Sequence, residues 1–213
     1  RPLRACRLAV PQTILLDALE TPVARAFERS IELLRRAGAQ IEDLALPAMN
    51  DVGAMMAQGG FAAAESWAWH RQRLAERAGD YDPRVALRIR RGEVISAADY
   101  IELHAERAGW ISRMCAAMRG YDAMLSPTVP IVAPPIAPLV ASDERFFAVN
   151  ALLLRNASPV NLLDGCAISL PCHALGEMPV GLMVWREAMA DDAVLDIALT
   201  IETALADLRG GRA

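Results

Sequence analysis

The sequence predicts an α/β fold, and three observations predict it. The first is a strand–helix–strand unit over residues 8–46. The second is a run at 122–126 that reads as a buried strand, followed by two short apolar runs at 167–170 and 180–185. The third is the helical character of most of what lies between and after them. Strands separated by helices indicate layers of helix on sheet rather than a bundle or a sandwich.

Leu8 to Val10 is an apolar run before Pro11 and reads as a strand. The next helix takes Thr21 as N-cap and Pro22 at the first helical position, where a missing N–H costs nothing. Val23, Phe27, Ile31 and Leu34 recur at helical spacing as one apolar stripe. Arg35 and Arg36 fall in the last turn, Gly38 supplies a left-handed cap, and 39–46 reads as a strand ended by Pro47. Residues 50–79 lack proline and are rich in Ala, Met and Trp, so they read as helical, with a bend at Gly59-Gly60. A shorter helix starts at Asp82-Pro83 and stops near Gly92. Another starts at Ser96, with Asp99 as its capping-box partner, and runs to about Arg119. Tyr100, Leu103, Arg107, Trp110, Met114 and Met118 share one of its faces.

Beyond the buried strand, Pro127-Thr128-Val129-Pro130 opens a proline-rich stretch to Pro138. Such backbone cannot join a sheet interior, and a loop this long is an ordered functional segment or a disordered one. A helix follows over 142–156. The two apolar runs, split by Gly176-Glu177-Met178-Pro179, pair as an antiparallel hairpin. Asp191 caps a final helix to about Leu208, and the Gly-Gly-Arg-Ala tail is expected to fray. The chain thus divides into a strand–helix–strand segment (1–47), a helical segment (48–120) and a strand, loop, hairpin and helix segment (121–213).

Twenty-two basic residues against 26 acidic give a net charge of -4, and the pI is near 5.4. That balance argues against a nucleic-acid partner. All the basic residues are arginine, so these residues offer no lysine base. No window approaches 18 uninterrupted apolar residues, and no charged n-region leads into an apolar h-region, so no membrane is expected and the setting reads as cytoplasmic. The four cysteines lack CxxC or Cys/His spacing and read as reduced thiols. Hydrophobic residues make up 54% before the 13 glycines are counted, above the roughly 45–50% usual with glycine included. That excess suits a face buried against something else, with extra helical alanine as the other explanation. On the first reading the chain self-associates through that face. Arg1 stands where no initiator Met is present, which reads as a start inside a longer frame or a processed end.

Several segments, in order, resemble the C-terminal half of the amidase-signature family. Leu8-Ala9-Val10-Pro11, a helix, Gly38-Ala39 and Leu46-Pro47 are similar to its mid-chain strand–helix–strand. Arg88-Ile89 with Gly92, then Ser96 to Tyr100, resembles its Arg-Ile-x-x-Gly and following helix. Tyr121-Asp122-Ala123-Met124-Leu125-Ser126-Pro127-Thr128 resembles its Tyr-Asp-x-x-Leu-x-Pro-Thr. Asn161-Leu162, Gly165 to Cys172 and Met178-Pro179-Val180-Gly181-Leu182 resemble its Asn-Leu-x-Gly-x-Pro-Ala-x-Ser-x-Pro stretch and Leu-Pro-Val-Gly-Leu strand. Cys166 stands where proline is usual, and an extra residue lies around Leu163-Asp164. The resemblance spans nearly the whole chain. It implies a mixed β-sheet flanked by helices, an α/β/α fold, and hydrolysis of a carboxylic amide through an acyl-enzyme, with no metal and no organic cofactor. The family's nucleophile is a serine activated by a second serine and a lysine from a Gly/Ser-rich segment of the N-terminal half. No such segment occurs here, and a serine without an adjacent base is a poor nucleophile. The expectation is therefore an amidase portion without catalytic residues of its own. It would be inactive without the N-terminal half of the same polypeptide and would share with it a small-molecule amide substrate. The alternative is a non-catalytic interaction module that keeps this fold.

Three residues are candidates for substrate binding. Thr128 leaves the end of a buried strand, where α/β ligands gather, unless its prolines merely shape a surface loop. Arg88 reads as a solvated helix face. By the resemblance it matches a position that binds the substrate carboxylate in the glutamine-using amidotransferases. Asn156, with Ser158, reads as a helix-end hydrogen-bonder, or by the resemblance as part of a stretch near the active site. Cys172-His173 suggests a cysteine hydrolase, but adjacent strand residues point to opposite faces and cannot readily pair. His70 and His104 lack a ligand partner at i+4, and Met55-Met56 with Trp67 and Trp69 read as packing.

Overall fold

A computed structural model describes residues 2–210, with side chains through Ala206. In chain order the strands and helices begin with β1 (Arg7–Gln12), α1 (Thr21–Arg36), β2 (Gln40–Ala45), α2 (Val52–Met55), α3 (Gly60–Arg77), α4 (Pro83–Arg90) and α5 (Ala97–Met118). They continue with β3 (Ala123–Pro127), α6 (Ile136–Ala141), α7 (Asp143–Arg155), α8 (Ala157–Leu162), β4 (Cys166–Pro171), β5 (Gly181–Arg186) and α9 (Asp191–Gly210). These form two compact units, Arg1–Met49 with Met114–Ala213, and Asn50–Arg113.

The first unit is built on a five-stranded mixed sheet of order β2-β1-β3-β5-β4. β1 runs parallel to β2 and to β3, while β5 is antiparallel to both β3 and β4. The apolar stripe of α1 (Val23, Phe27, Ile31, Leu34) and that of α9 (Val194, Ile197, Ile201, Leu205) cover one face. They enclose Leu8, Val10, Leu125, Leu170, Leu182 and Val184 in one core. Each such side chain contributes roughly 1.5–3 kcal/mol by leaving water. The register of β1 against β3 is set at their amino ends. Asp122 Oδ2 accepts the Arg7 N–H at 2.7 Å, and the Arg7 carbonyl accepts the Asp122 N–H at 2.6 Å. Tyr121 donates its hydroxyl to Glu42 on β2 at 2.9 Å, with the Arg7 guanidinium 5.3 Å from its ring centroid.

The β4–β5 hairpin is held to α1 by one ion pair. Arg29 donates from both terminal nitrogens to Glu177, at 3.1 and 2.6 Å, and Ala174 N–H donates to the same carboxylate at 2.8 Å. The hydrogen bonds from Arg29 and Ala174 lower the Glu177 carboxyl to about 2. A carboxyl depressed on folding stabilises the fold above its unfolded pKa and loses that contribution as pH falls through the folded value. The window therefore runs from about 4.5 down to about 2. Because the Glu177 side chain is 43% exposed, solvent screening limits the effect to about 1 kcal/mol. Glu177→Gln is expected to be less stable than wild type by about that amount at pH 7, and equal to it near pH 2. Urea titrations at the two pH values check this, and a gap that persists unchanged in acid refutes it.

The second unit is helical. Gly59 and Gly60 take positive φ of 97° and 59° and provide the bend expected between α2 and α3. Asp82 caps α4 by accepting from Arg84 and Val85 N–H, and Ser96 and Asp99 form the reciprocal capping box at α5. His70 bonds the Tyr81 hydroxyl at 2.8 Å, and His104 packs edge-on against Phe61 and Tyr100. Met55 is buried, whereas Trp69 is 84% exposed.

Three local expectations change. Thr21 is the first residue of α1 rather than its cap. Glu20 takes the cap position, and its carboxylate is used elsewhere, accepting from Val132 N–H at 2.9 Å. β1 continues through Pro11 to Gln12, because its ladder with β3 ends at Ala9 and asks no donor of the proline on that side. The proline-rich stretch is not all loop, since α6 includes Pro138 within its first turn, where helical N–H groups have no intrahelical partner. The helix expected over 142–156 is α7, with Ser142 as N-cap, Asn156 as C-cap and α8 directly after it. No helix among the described residues is long and apolar enough to cross a membrane. The expectation of a fraying tail falls mainly on 211–213, outside the described residues.

Candidate functional site

From β1 the chain crosses through α1 to β2 on one side, and it later returns to β3 on the other. The carboxyl ends of β1 and β3 therefore form a topological switch point, the place where open α/β sheets hold ligands. A 3₁₀ turn, Ile14–Leu16, leaves β1 there, and the Pro127–Pro130 loop leaves β3. Asn156, the C-cap of α7, fastens the two together. It is fully buried, and its Nδ2 donates to the Leu15 carbonyl at 2.9 Å and to the Pro127 carbonyl at 2.8 Å. Its Oδ1 accepts from Arg155 Nε at 3.1 Å.

Thr128 is the residue immediately beyond Pro127. Its N–H donates to the Gly181 carbonyl at 2.9 Å, and its Oγ1 lies 2.6 Å from Ser169 Oγ. Ser169 sits on β4 between Ile168 and Leu170, which pack toward the core, so the period-2 alternation places its hydroxyl on the opposite face. Ser169 is exposed and Thr128 half-buried. Gly181 makes this approach possible, because a Cβ there would lie 2.3 Å from Ser169 Oγ and 2.6 Å from Thr128 Oγ1. The loop is tied down further along, where the Pro130 carbonyl accepts the Glu20 N–H at 2.9 Å.

The sequence candidates therefore divide. Thr128 and Asn156 meet at the end of β3, Thr128 with a hydroxyl toward Ser169 and Asn156 with its amide committed to the protein. Arg88 lies exposed on α4 in the other unit, and its guanidinium makes no hydrogen bond or ion pair among the described residues. Cys172 is 1% exposed, and burial pushes its thiol up to about 11. The neighbouring His173 Nδ1 accepts from Val180 N–H at 3.3 Å. A buried, protonated thiol is not a nucleophile, which removes the cysteine-hydrolase reading. Among the described residues no three His, Cys, Asp or Glu side chains gather as a metal site would need.

Sequence reasoning missed Ser169 and Arg155. The alternation of Ile168, Ser169 and Leu170 was the available signal for the first. For the second there was none, since an arginine in the last turn of a helix is ordinary. The Thr128–Ser169 pair has no hydrogen-bonded base among the described residues. Chemically it can donate to and accept from a polar guest, but it has no means of making an alkoxide.

The chain belongs to the amidase family, whose model, described as Amidase, matches residues 1–195. Among curated relatives it is similar to the 2-amino-5-chloromuconic acid deaminase of Comamonas testosteroni. The two are 30% identical over 199 residues, which cover 92% of this chain and 42% of that protein. Among solved structures, one described as an amidase superposes with a TM-score of 0.78 at 25% identity, over 95% of this chain and 46% of that one. The Kluyveromyces lactis allophanate hydrolase superposes with a TM-score of 0.81 at 19% identity, over 96% of this chain and 32% of that one. The chain thus spans less than half the length of these relatives.

Proposed function

We propose that this chain is the C-terminal part of an amidase-family amidohydrolase that cleaves a carboxylic amide through a serine acyl-enzyme. The nucleophilic serine, its partner serine and the lysine base come from a further part of the protein. The serine oxygen adds to the amide carbonyl, and the C–N bond breaks as the leaving nitrogen takes a proton. Water then hydrolyses the ester to free acid and serine. These 213 residues hold no lysine, and their contribution is sheet core and part of the substrate pocket wall.

The observation that carries this role is the Thr128–Ser169 hydroxyl pair at the switch point, 2.6 Å apart. One hydroxyl donates to the other, which leaves the second proton free for a substrate oxygen. Asn156 belongs to the site as the support of Pro127 and Thr128. Arg88 is the helical unit's candidate cation for a substrate carboxylate. Support for a carboxylate on the substrate comes from the Comamonas testosteroni relative, whose name specifies an acid. The remaining part of the polypeptide is the first partner. Without it, exposed Trp69, Leu87, Ile136 and Leu199 favour self-association. The cytoplasm is the proposed compartment.

Ammonia release from a panel of carboxylic amides tests the reading, with the 213-residue chain and the complete gene product assayed side by side. Turnover is expected only from the complete product. Thr128→Val in it should lower kcat/KM about five- to tenfold, the loss of one hydrogen bond. Turnover by the 213 residues alone, or none by the complete product on any amide, overturns the proposal.

A further inference from the structure

Arg155 has an unusual environment for a cation. A guanidinium carries five N–H donors, and the bond made here runs from Nε to Asn156 Oδ1. Nη2 is enclosed by protein and has no hydrogen-bond partner. Two more polar atoms are enclosed without a partner at the same two strand ends. They are Thr13 Oγ1, just beyond β1, and Ser126 Oγ, next to Pro127 in β3. A buried polar atom left unmatched costs about 1–3 kcal/mol, and more when it is charged. Burial lowers the Arg155 guanidinium from its ordinary value, and the charge of the exposed Asp17 offsets this only in part. The residue as a whole is half-buried.

We infer that Arg155 is a carboxylate-binding residue at the switch point, its guanidinium taking one carboxylate of the substrate. Asn156 orients it, because the amide that accepts from Arg155 Nε also fixes Pro127 and therefore Thr128. The ligand class is a small acid with a second polar group, the acid on Arg155 and the other group on the Thr128–Ser169 hydroxyls. This rests on the pocket-wall reading above, but it is tested without turnover.

The probe is succinate, with succinamide as its uncharged counterpart, each titrated into the 213-residue chain at constant ionic strength. The readout is the arginine Nε–Hε spectrum, in which the Arg155 signal is the one missing from Arg155→Lys. The expected result is a saturable shift of that signal with succinate and none with succinamide. Arg155→Gln should weaken succinate binding at least tenfold, while Arg88→Gln leaves the Arg155 shift in place. An Arg155 signal that stays still at high succinate overturns the inference, as does one that moves equally with chloride. If Arg155→Gln fails to fold, the wild-type titration still decides. Saturable binding alongside an amidase assay without turnover would sink the functional reading alone, and turnover without an Arg155 response would sink this one alone.

Discussion

Gly92→Ala is expected to destabilise the helical unit by more than about 3 kcal/mol, the largest effect of any single methyl group in residues 50–113. A Cβ at Gly92 would lie 2.0 Å from the Ala63 carbonyl oxygen and 2.6 Å from both the Ala63 carbonyl carbon and Trp67 Cβ. Overpacking typically costs about 1–3 kcal/mol when side chains can give way. Here two of the three obstacles are the backbone of α3, which cannot move without breaking its own hydrogen bonds. Gly53→Ala is the control within the same unit. A Cβ there meets nothing within 4 Å, and the site lies inside α2, so alanine should add about 0.5–1 kcal/mol. Urea unfolding of the two variants, followed by hydrogen exchange over 50–113, measures both. A Gly92→Ala chain within about 0.5 kcal/mol of wild type would mean that the turn at 91–94 does not rest on α3.

The sheet was legible because its strands announce themselves locally. Leu8 to Val10, 122–126 and the two hairpin runs are apolar and bounded by Pro, Gly or charge, and each recurs as a strand within one or two residues. The Ser96 and Asp99 box was legible for the same reason, since both partners lie within four residues. Where the reading failed, the deciding contact was distant. Thr21 has the composition of a cap, but Glu20 is drawn into that place by the loop 112 residues away. Ser169 lies inside a recognisable motif, yet nothing local assigns it a role, because its partner Thr128 is 41 residues away. The motif 121–128 shows the division within one segment. Tyr121 and Asp122 set the register of the sheet, whereas Thr128, just beyond the other end of β3, pairs with Ser169. Spacing alone could not separate those two tasks.

Asn156→Ala is expected to cost roughly 3–5 kcal/mol and to release the Pro127–Pro130 loop before the rest of the chain unfolds. Two buried carbonyls, those of Leu15 and Pro127, lose their donor together, and an unmatched buried group costs about 1–3 kcal/mol each. Arg155 Nε loses its acceptor as well. Asn156→Asp separates hydrogen bonding from volume. Aspartate keeps the size and the acceptor for Arg155, but it sets carboxylate oxygens against two carbonyl oxygens. If the amide donors are what hold the crevice, Asp should be no more stable than Ala at pH 7 and should recover in acid, where its carboxyl regains a proton to donate. If filling the space is what matters, Asp should approach wild type at every pH. Urea midpoints at pH 7 and pH 4 distinguish the two, with amide exchange at Thr128 and Val132 reporting the loop. Coincident exchange there and in β1 would show that the loop opens only with global unfolding. The switch point would then be part of the rigid core, its hydroxyls fixed by the sheet itself rather than by one buried amide.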